Sequence, residues 1–234
     1  MSALAVPAVA AANGAASSSG AQTRPVLDAH VFIDNSNIFE GARRAAEIRE
    51  PDAVRGAVRL YYRNFFRLVE DGVNPLTRVL AGSGPAGSED LWSYARQAGY
   101  DTDLLRRVEK DGGRIGEQGV DEILHLKIAN ALLDHEPPQR LVVCTGDARD
   151  SDFGTSFKSQ IERALRRGWQ VRVWSWRDQL SGRFQSLVER SKGAMTISFL
   201  DPYYHEVTFV QAGEQLVGGE RVQVRGRVVA PLAL

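Results

Sequence analysis

Six short apolar or β-branched runs alternate along this chain with segments whose apolar residues recur at helical spacing. The runs are HVFID (30–34), LTRVLAGS (76–83), YDTDLLRRV (100–108), RLVVCTGD (140–147), WQVRVWSW (169–176) and AMTISF (194–199). Strict alternation leaves few solutions, because each helix must carry the chain back to begin the next strand in the same direction. The expected fold is α/β, a Rossmann-like parallel sheet flanked by helices. Runs without inside-outside alternation, such as LVVC, fit strands covered on both faces. The charges in YDTDLLRRV suit a sheet edge.

The helical segments are expected from Phe39 to Ile48, capped by Ser36 or Asn37, and from Asp52 onward through Val54, Val58, Tyr61, Phe65 and Leu68. Others run from Ser88 to Gly99, from Gly119 through the stripe Val120, Leu124, Ile128, Ala131 and Leu132, from Thr155 to Arg167, and from Gln185 to Arg190. KDGGRIGEQG (110–119) reads as a Gly-rich loop. Past Pro202 the pattern changes to EVTFV and ERVQVRGRVV around VGGE, a hairpin signal centred on Gly218 and Gly219. The chain is thus expected to divide into a disordered Ala/Ser/Gly-rich tail (1–27), an α/β domain (28–201) and a small C-terminal β-hairpin extension (202–234). Tyr203, Tyr204 and that extension are candidates for a homodimer or protein-partner contact.

Composition narrows the function classes. Basic and acidic residues both number 29, so no net field draws the molecule onto a polyanion, and any such partner must be held by a local patch. Arg163, Arg166 and Arg167 form one local cluster and Arg221, Arg225 and Arg227 another. Cys144 is the only cysteine, which excludes an intramolecular disulfide and a Cys-based zinc knuckle. That usage is compatible with a reducing, intracellular compartment. The first 25 residues lack the basic n-region of a secretory signal, and no stretch of 18 apolar residues exists to span a bilayer.

Function in an open α/β sheet collects at the carboxyl edge of the strands. Asp34 ends the first run, Asp147 ends RLVVCTGD, and Asp121 stands in the first turn of the helix leading back to that strand. Asp152 follows five residues after Asp147. Carboxylates converging there would repel one another unless a cation neutralised them. Mg²⁺ or Mn²⁺ takes oxygen ligands, can bridge a phosphate oxygen, and supports in-line displacement at phosphorus. Asn37 is placed to orient Asp34 or a bound water. Each acid also has a structural reading: Asp121 as a helix N-terminal charge, Asp147 as a turn residue, Asp150 or Asp152 as a cap. Asp34 is the hardest to explain by packing alone.

These motifs resemble the NYN family of PIN-like nucleases. FIDNSNIF is similar to its first motif, a strand followed by Asp-x-x-Asn; GVDEILHLKI to its second, in which Gly-Val-Asp opens a helix; and LVVCTGDARDSDF to its third. The resemblance runs from Ala29 to Trp176 and implies a PIN-type sheet and metal-dependent ribonuclease activity. Carried over by motif, Asp34, Asp121 and Asp147 match the metal-binding acids and Asn37 the accompanying amide. The chain departs in two places. The family commonly has Ser-Gly-Asp-x-Asp-Phe, whereas Ala148, Arg149, Asp150 and Ser151 separate Asp147 from Asp152 here. Many members carry an acid where this chain has Lys127.

RNA is the partner this resemblance implies, with Arg43, Arg44, Arg114, Lys127 and Lys158 as candidate phosphate contacts. His125, four residues after Asp121, is read either as a base or as a partly buried structural histidine. Two other functions fit the sequence. One is an RNA-binding or scaffold domain that keeps the fold and not the chemistry. The other is a haloacid dehalogenase-like phosphatase, for which TGDARDSD has the acidic spacing but Ser36 stands where the general acid belongs.

Overall fold

A computed structural model describes residues 26–83, 89–105, 108–110, 114–116, 119–149 and 154–234. The elements in chain order are β1 (Leu27–Asp34), α1 (Asn35–Arg49), β2 (Val58–Leu60), α2 (Tyr62–Val69), β3 (Val73–Ser83), α3 (Glu89–Gln97), β4 (Asp101–Leu105), β5 (Val108–Lys110), β6 (Arg114–Gly116), α4 (Val120–Asp134) and β7 (Arg140–Cys144). They continue with α5 (Phe157–Arg166), β8 (Gln170–Ser175), α6 (Gly182–Arg190), β9 (Met195–Phe199), α7 (Tyr204–Val207), β10 (Thr208–Val210), β11 (Gly213–Val217) and β12 (Glu220–Val224).

The six expected strands form one parallel sheet in the order β4-β3-β1-β7-β8-β9. Strand order runs outward in opposite senses from the β1–β7 pair, which makes their carboxyl ends the switch point of a doubly wound, Rossmann-like fold. Alternate residues of each central strand feed opposite cores. Val31 and Ile33 of β1 join Val142 and Cys144 of β7 beneath α1 and α2, while Phe32 joins Leu141 and Val143 beneath α4 and α5. The predicted stripe of α4 is buried at all five positions. β4 lies at the edge, as its charges require. Pro75 is tolerated inside β3 because β4 pairs only from Val79 onward, and the pairing with β1 shifts register between Ala29 and His30.

Three expectations are corrected. No helix starts at Asp52: a 3-10 turn (Arg55–Ala57) leads into β2, and α2 begins at Tyr62. In β2 Val58 and Leu60 are buried while Arg59 between them is half-buried, so the local period is two. Its partner is β10, paired antiparallel from the far end of the chain. EVTFV therefore belongs to this second ribbon and not to the hairpin. The hairpin joins β11 to β12, and Gly218 (φ 60°) and Gly219 (φ 92°) supply the two left-handed residues of its two-residue turn. Within KDGGRIGEQG, Arg114–Gly116 pairs with Val108–Lys110 instead of forming only a loop.

The segment past Pro202 is tied to the α/β core. Tyr204, Val207 and Val210 are buried in the same cluster as α1 and α2. Glu50 receives the Tyr204 hydroxyl at 3.0 Å and Arg227 Nε at 2.9 Å. Among the described residues no helix is long and apolar enough to cross a membrane.

Candidate functional site

β1 ends on Asp34, which is buried and caps α1: its Oδ1 accepts from the Asn37 backbone N–H at 3.1 Å. Capping explains why a packed strand tolerates an acid at its tip, since it satisfies a helix amide that would otherwise lack a partner. The same carboxylate reaches the neighbouring strand. Ile33 is registered with Cys144, so Asp34 stands beside Thr145, whose hydroxyl donates to Asp34 Oδ2 at 3.1 Å. Thr145 is fully buried and its Oγ1 also accepts from Asp147 N–H at 3.2 Å. Asn37 closes the link, its Oδ1 accepting from Gly146 N–H at 2.8 Å. The tips of β1 and β7 are thereby bound together by three side chains.

Neighbouring polar groups extend the framework. The Ser83 amide at the end of β3 donates to Ser36 Oγ at 3.2 Å. Tyr62, the first residue of α2, donates to Asn35 Oδ1 at 2.6 Å, and burial pushes its phenol well above the usual tyrosine range. Trp176 Nε1 donates to the Ile38 carbonyl at 2.9 Å, fixing the first turn of α1 against the chain after β8.

Asp34, Asp121 and Asp147 line one cleft of about 1360 Å³. Asp121 reaches it from the first turn of α4. Asp147 is gripped by Arg149, whose Nε lies 3.1 and 2.8 Å from its two carboxylate oxygens and whose Nη2 lies 2.6 Å from Oδ2. Burial works to raise the Asp147 pKa, but the hydrogen bonds and charge of Arg149, with the charge of Arg183, outweigh it and hold the carboxyl below the ordinary range. Asp121 adds to the field that holds Arg149 protonated. A guanidinium thus supplies here the positive charge that converging acids demand.

The oxygen donors suit a hard divalent cation: Asp34, Asp121 and Asp147 are carboxylates that line the same space. As the side chains stand, with Arg149 on Asp147, no three His, Cys, Asp or Glu residues among those described are close enough to hold an ion together. An ion shared by the three acids would need their side chains to close in on it and the Arg149 guanidinium, whose side chain is 86% exposed, to leave Asp147.

Of the basic residues expected to contact phosphate, Arg43 and Arg44 of α1 line the cleft. Arg44 is also 3.8 Å from Glu40. Lys127 does not line it; its ammonium sits between Asp101 and Asp103 of β4, 2.6 Å from the latter, which explains a lysine at this point of α4. Lys158 pairs with Glu162 one turn along α5 at 3.5 Å. Arg114 lies in β6, and Asp152 lies outside the described residues. His125 is buried edge-on against Phe157, its ring centroid 4.5 Å away, with neither ring nitrogen hydrogen-bonded among the described residues. Burial lowers its pKa to about 4, so it is a neutral packing residue.

Sequence reasoning missed Thr145 as the bridge, Arg149 as the internal cation, and Arg59 and Phe209 as lining residues. A basic residue two positions after an acid in a Gly-containing turn was a readable signal for Arg149. Arg59 carried none, because its place depends on β10.

No protein-family model and no curated protein sequence matches the chain. Among solved structures, a protein of unknown function from Vibrio parahaemolyticus is similar at 14% identity and a TM-score of 0.50, covering 74% of this chain and 91% of that one. That likeness is one of fold.

Proposed function

We propose that this chain is a divalent-cation-dependent ribonuclease of NYN type, hydrolysing RNA phosphodiester bonds at the β1–β7 switch point. The reading is carried by one observation: acids distant in the sequence, Asp34, Asp121 and Asp147, line a single cleft together with Arg43 and Arg44. The choice of RNA comes from the motif resemblance. Asp34, Asp121 and Asp147 would hold Mg²⁺ or Mn²⁺, and Asp152 is the candidate fourth acid. When bound, such an ion supplies an activated water and neutralises charge developing at phosphorus. Asn37, fixed by Gly146, orients the first helical turn beneath Asp34. Arg43 and Arg44 offer charge to backbone phosphates, which positions a strand without choosing its sequence.

The test is cleavage of single-stranded and hairpin RNA with Mg²⁺ or Mn²⁺, beside an EDTA control and Asp34→Asn and Asp147→Asn. Asn is a good cap, so Asp34→Asn is expected to fold normally and to lose cleavage. Cleavage that persists in EDTA, or in both variants, refutes the reading. A second reading is favoured by the Arg149 grip on Asp147: an RNA-binding module in which the guanidinium has replaced the ion. Tight RNA binding without cleavage in either metal selects it.

A further inference from the structure

We propose that Arg43 and Arg59, with the rings of Phe39 and Phe209, form a subsite that takes one phosphodiester and its adjacent base from a single-stranded nucleic acid. This deepens the reading above by naming the form of the substrate, and it rests on that reading only for the identity of the polymer.

The subsite is built by the β2–β10 ribbon and α1. Arg59 and Phe209 are directly paired across the ribbon, so their side chains share a face. Val58, Leu60, Thr208 and Val210 are buried toward the core, while Arg59 and Phe209 are half-buried and line the cleft. From α1, Phe39 and Arg43 line the same space, and the Arg43 guanidinium lies 4.6 Å from the centre of the Phe39 ring. Nine residues of helix separate Asp34 from Arg43, about 13 Å at the ordinary rise, so the subsite stands beside the acids and not on them.

Two features point to an anion. Both guanidiniums donate to one carbonyl, that of Gly56, Arg59 Nη1 at 2.6 Å and Arg43 Nη2 at 3.4 Å. Two cations sharing one neutral acceptor repel each other, and burial together with the Arg43 charge lowers the Arg59 pKa. Among the described residues Arg59 makes no ion pair with a carboxylate; its other partner is the Val58 carbonyl at 3.0 Å. Arginine does not relieve such repulsion by losing its proton in proteins, and an anion placed between the two guanidiniums would relieve it. Aromatic faces next to a cation pair distinguish a nucleotide from a bare carboxylate or phosphate. They favour a single strand because a duplex keeps its bases stacked on each other.

The experiment is fluorescence anisotropy with a labelled 12-nucleotide single-stranded RNA, its duplex and competing AMP, all in EDTA to suppress cleavage, using the full chain. Arg59→Gln is expected to weaken single-strand binding about tenfold and to lower the salt slope by about 0.7, the value for one phosphate contact. Phe209→Leu, which keeps bulk in β10, is expected to weaken it about fivefold or more with little change in salt slope. Arg163→Gln, on α5 and away from the cleft, is the control and should bind as the parent does. Thermal melts establish that each variant is folded, and Arg59→Lys, which keeps the charge, should recover part of the loss. Binding within twofold of the parent for both Arg59→Gln and Phe209→Leu overturns the subsite, as does a preference for duplex, or AMP competing as tightly as the 12-mer. Loss of binding in these variants of a parent that never cleaves RNA supports the subsite and refutes the nuclease. Intact binding in variants of an active parent does the reverse.

Discussion

Thr145→Val tests the central structural claim, that one hydroxyl joins the two strand tips that carry the site. Valine preserves the branched shape and removes two hydrogen bonds, the donation to Asp34 Oδ2 and the acceptance from Asp147 N–H. The first is charge-assisted and made by a fully buried donor, worth about 1.5–3 kcal/mol. The second is an ordinary backbone bond, worth about 1 kcal/mol. The sum is about 3 kcal/mol, with a fall in Tm on the order of 6–12 °C for a domain of this size. Urea titration read by tryptophan fluorescence gives the free energy, and Thr145→Ser, which retains the oxygen, should lose less than about 1 kcal/mol. If valine costs no more than serine, the hydroxyl does not bind β1 to β7, and the account of why Asp34 and Asp147 share a cleft fails with it.

Three further outcomes are expected. Arg149→Ala should leave stability within about 1 kcal/mol, because the guanidinium is largely exposed, while tightening Mn²⁺ binding several-fold by calorimetry; an unchanged affinity would show that Arg149 does not compete with an ion. Gly146→Ala should destabilise by about 1–3 kcal/mol in a denaturant melt, since an added Cβ would collide with the Gln179 carbonyl and stand 2.9 Å from Ser175 Oγ. Acid should weaken the fold in two stages. His30 and His125 have pKa values lowered to about 4 chiefly by burial, so below about 6.5 the unfolded chain binds protons that the folded one refuses, and stability falls from there to about pH 4. Asp147, held low on balance, contributes stability that is present above its unfolded value and disappears as pH drops through its folded one. Melts between pH 7 and 3 measure both stages, and His125→Phe should flatten the first.

Much of the sheet could be read from sequence because its central strands are covered on both faces and therefore apolar throughout, as in LVVC of β7. The stripe of α4 and the Gly218–Gly219 turn were equally legible, each being a local pattern that tertiary contacts reinforce. β2 was not, since three residues with a period of two were absorbed into a helical pattern and their partner lies about 150 residues away. The acids of the site were legible as strand-end and helix-start charges. What occupies them was not: the Arg149 grip on Asp147 is a matter of loop geometry. Lys127 illustrates the same limit, because its role as counter-ion to Asp101 and Asp103 exists only once β4 is laid beside α4.

The β2–β10 ribbon has a bearing on biosynthesis. Residues 58–60 are made before the strand that completes the ribbon, Thr208–Val210, which follows roughly 150 residues later. At a translation rate of about 5–20 residues per second, the chain spends on the order of ten seconds with its sheet under construction and this ribbon unclosed. If the proposed subsite seats a strand, a nascent polypeptide has the acids before it has that surface.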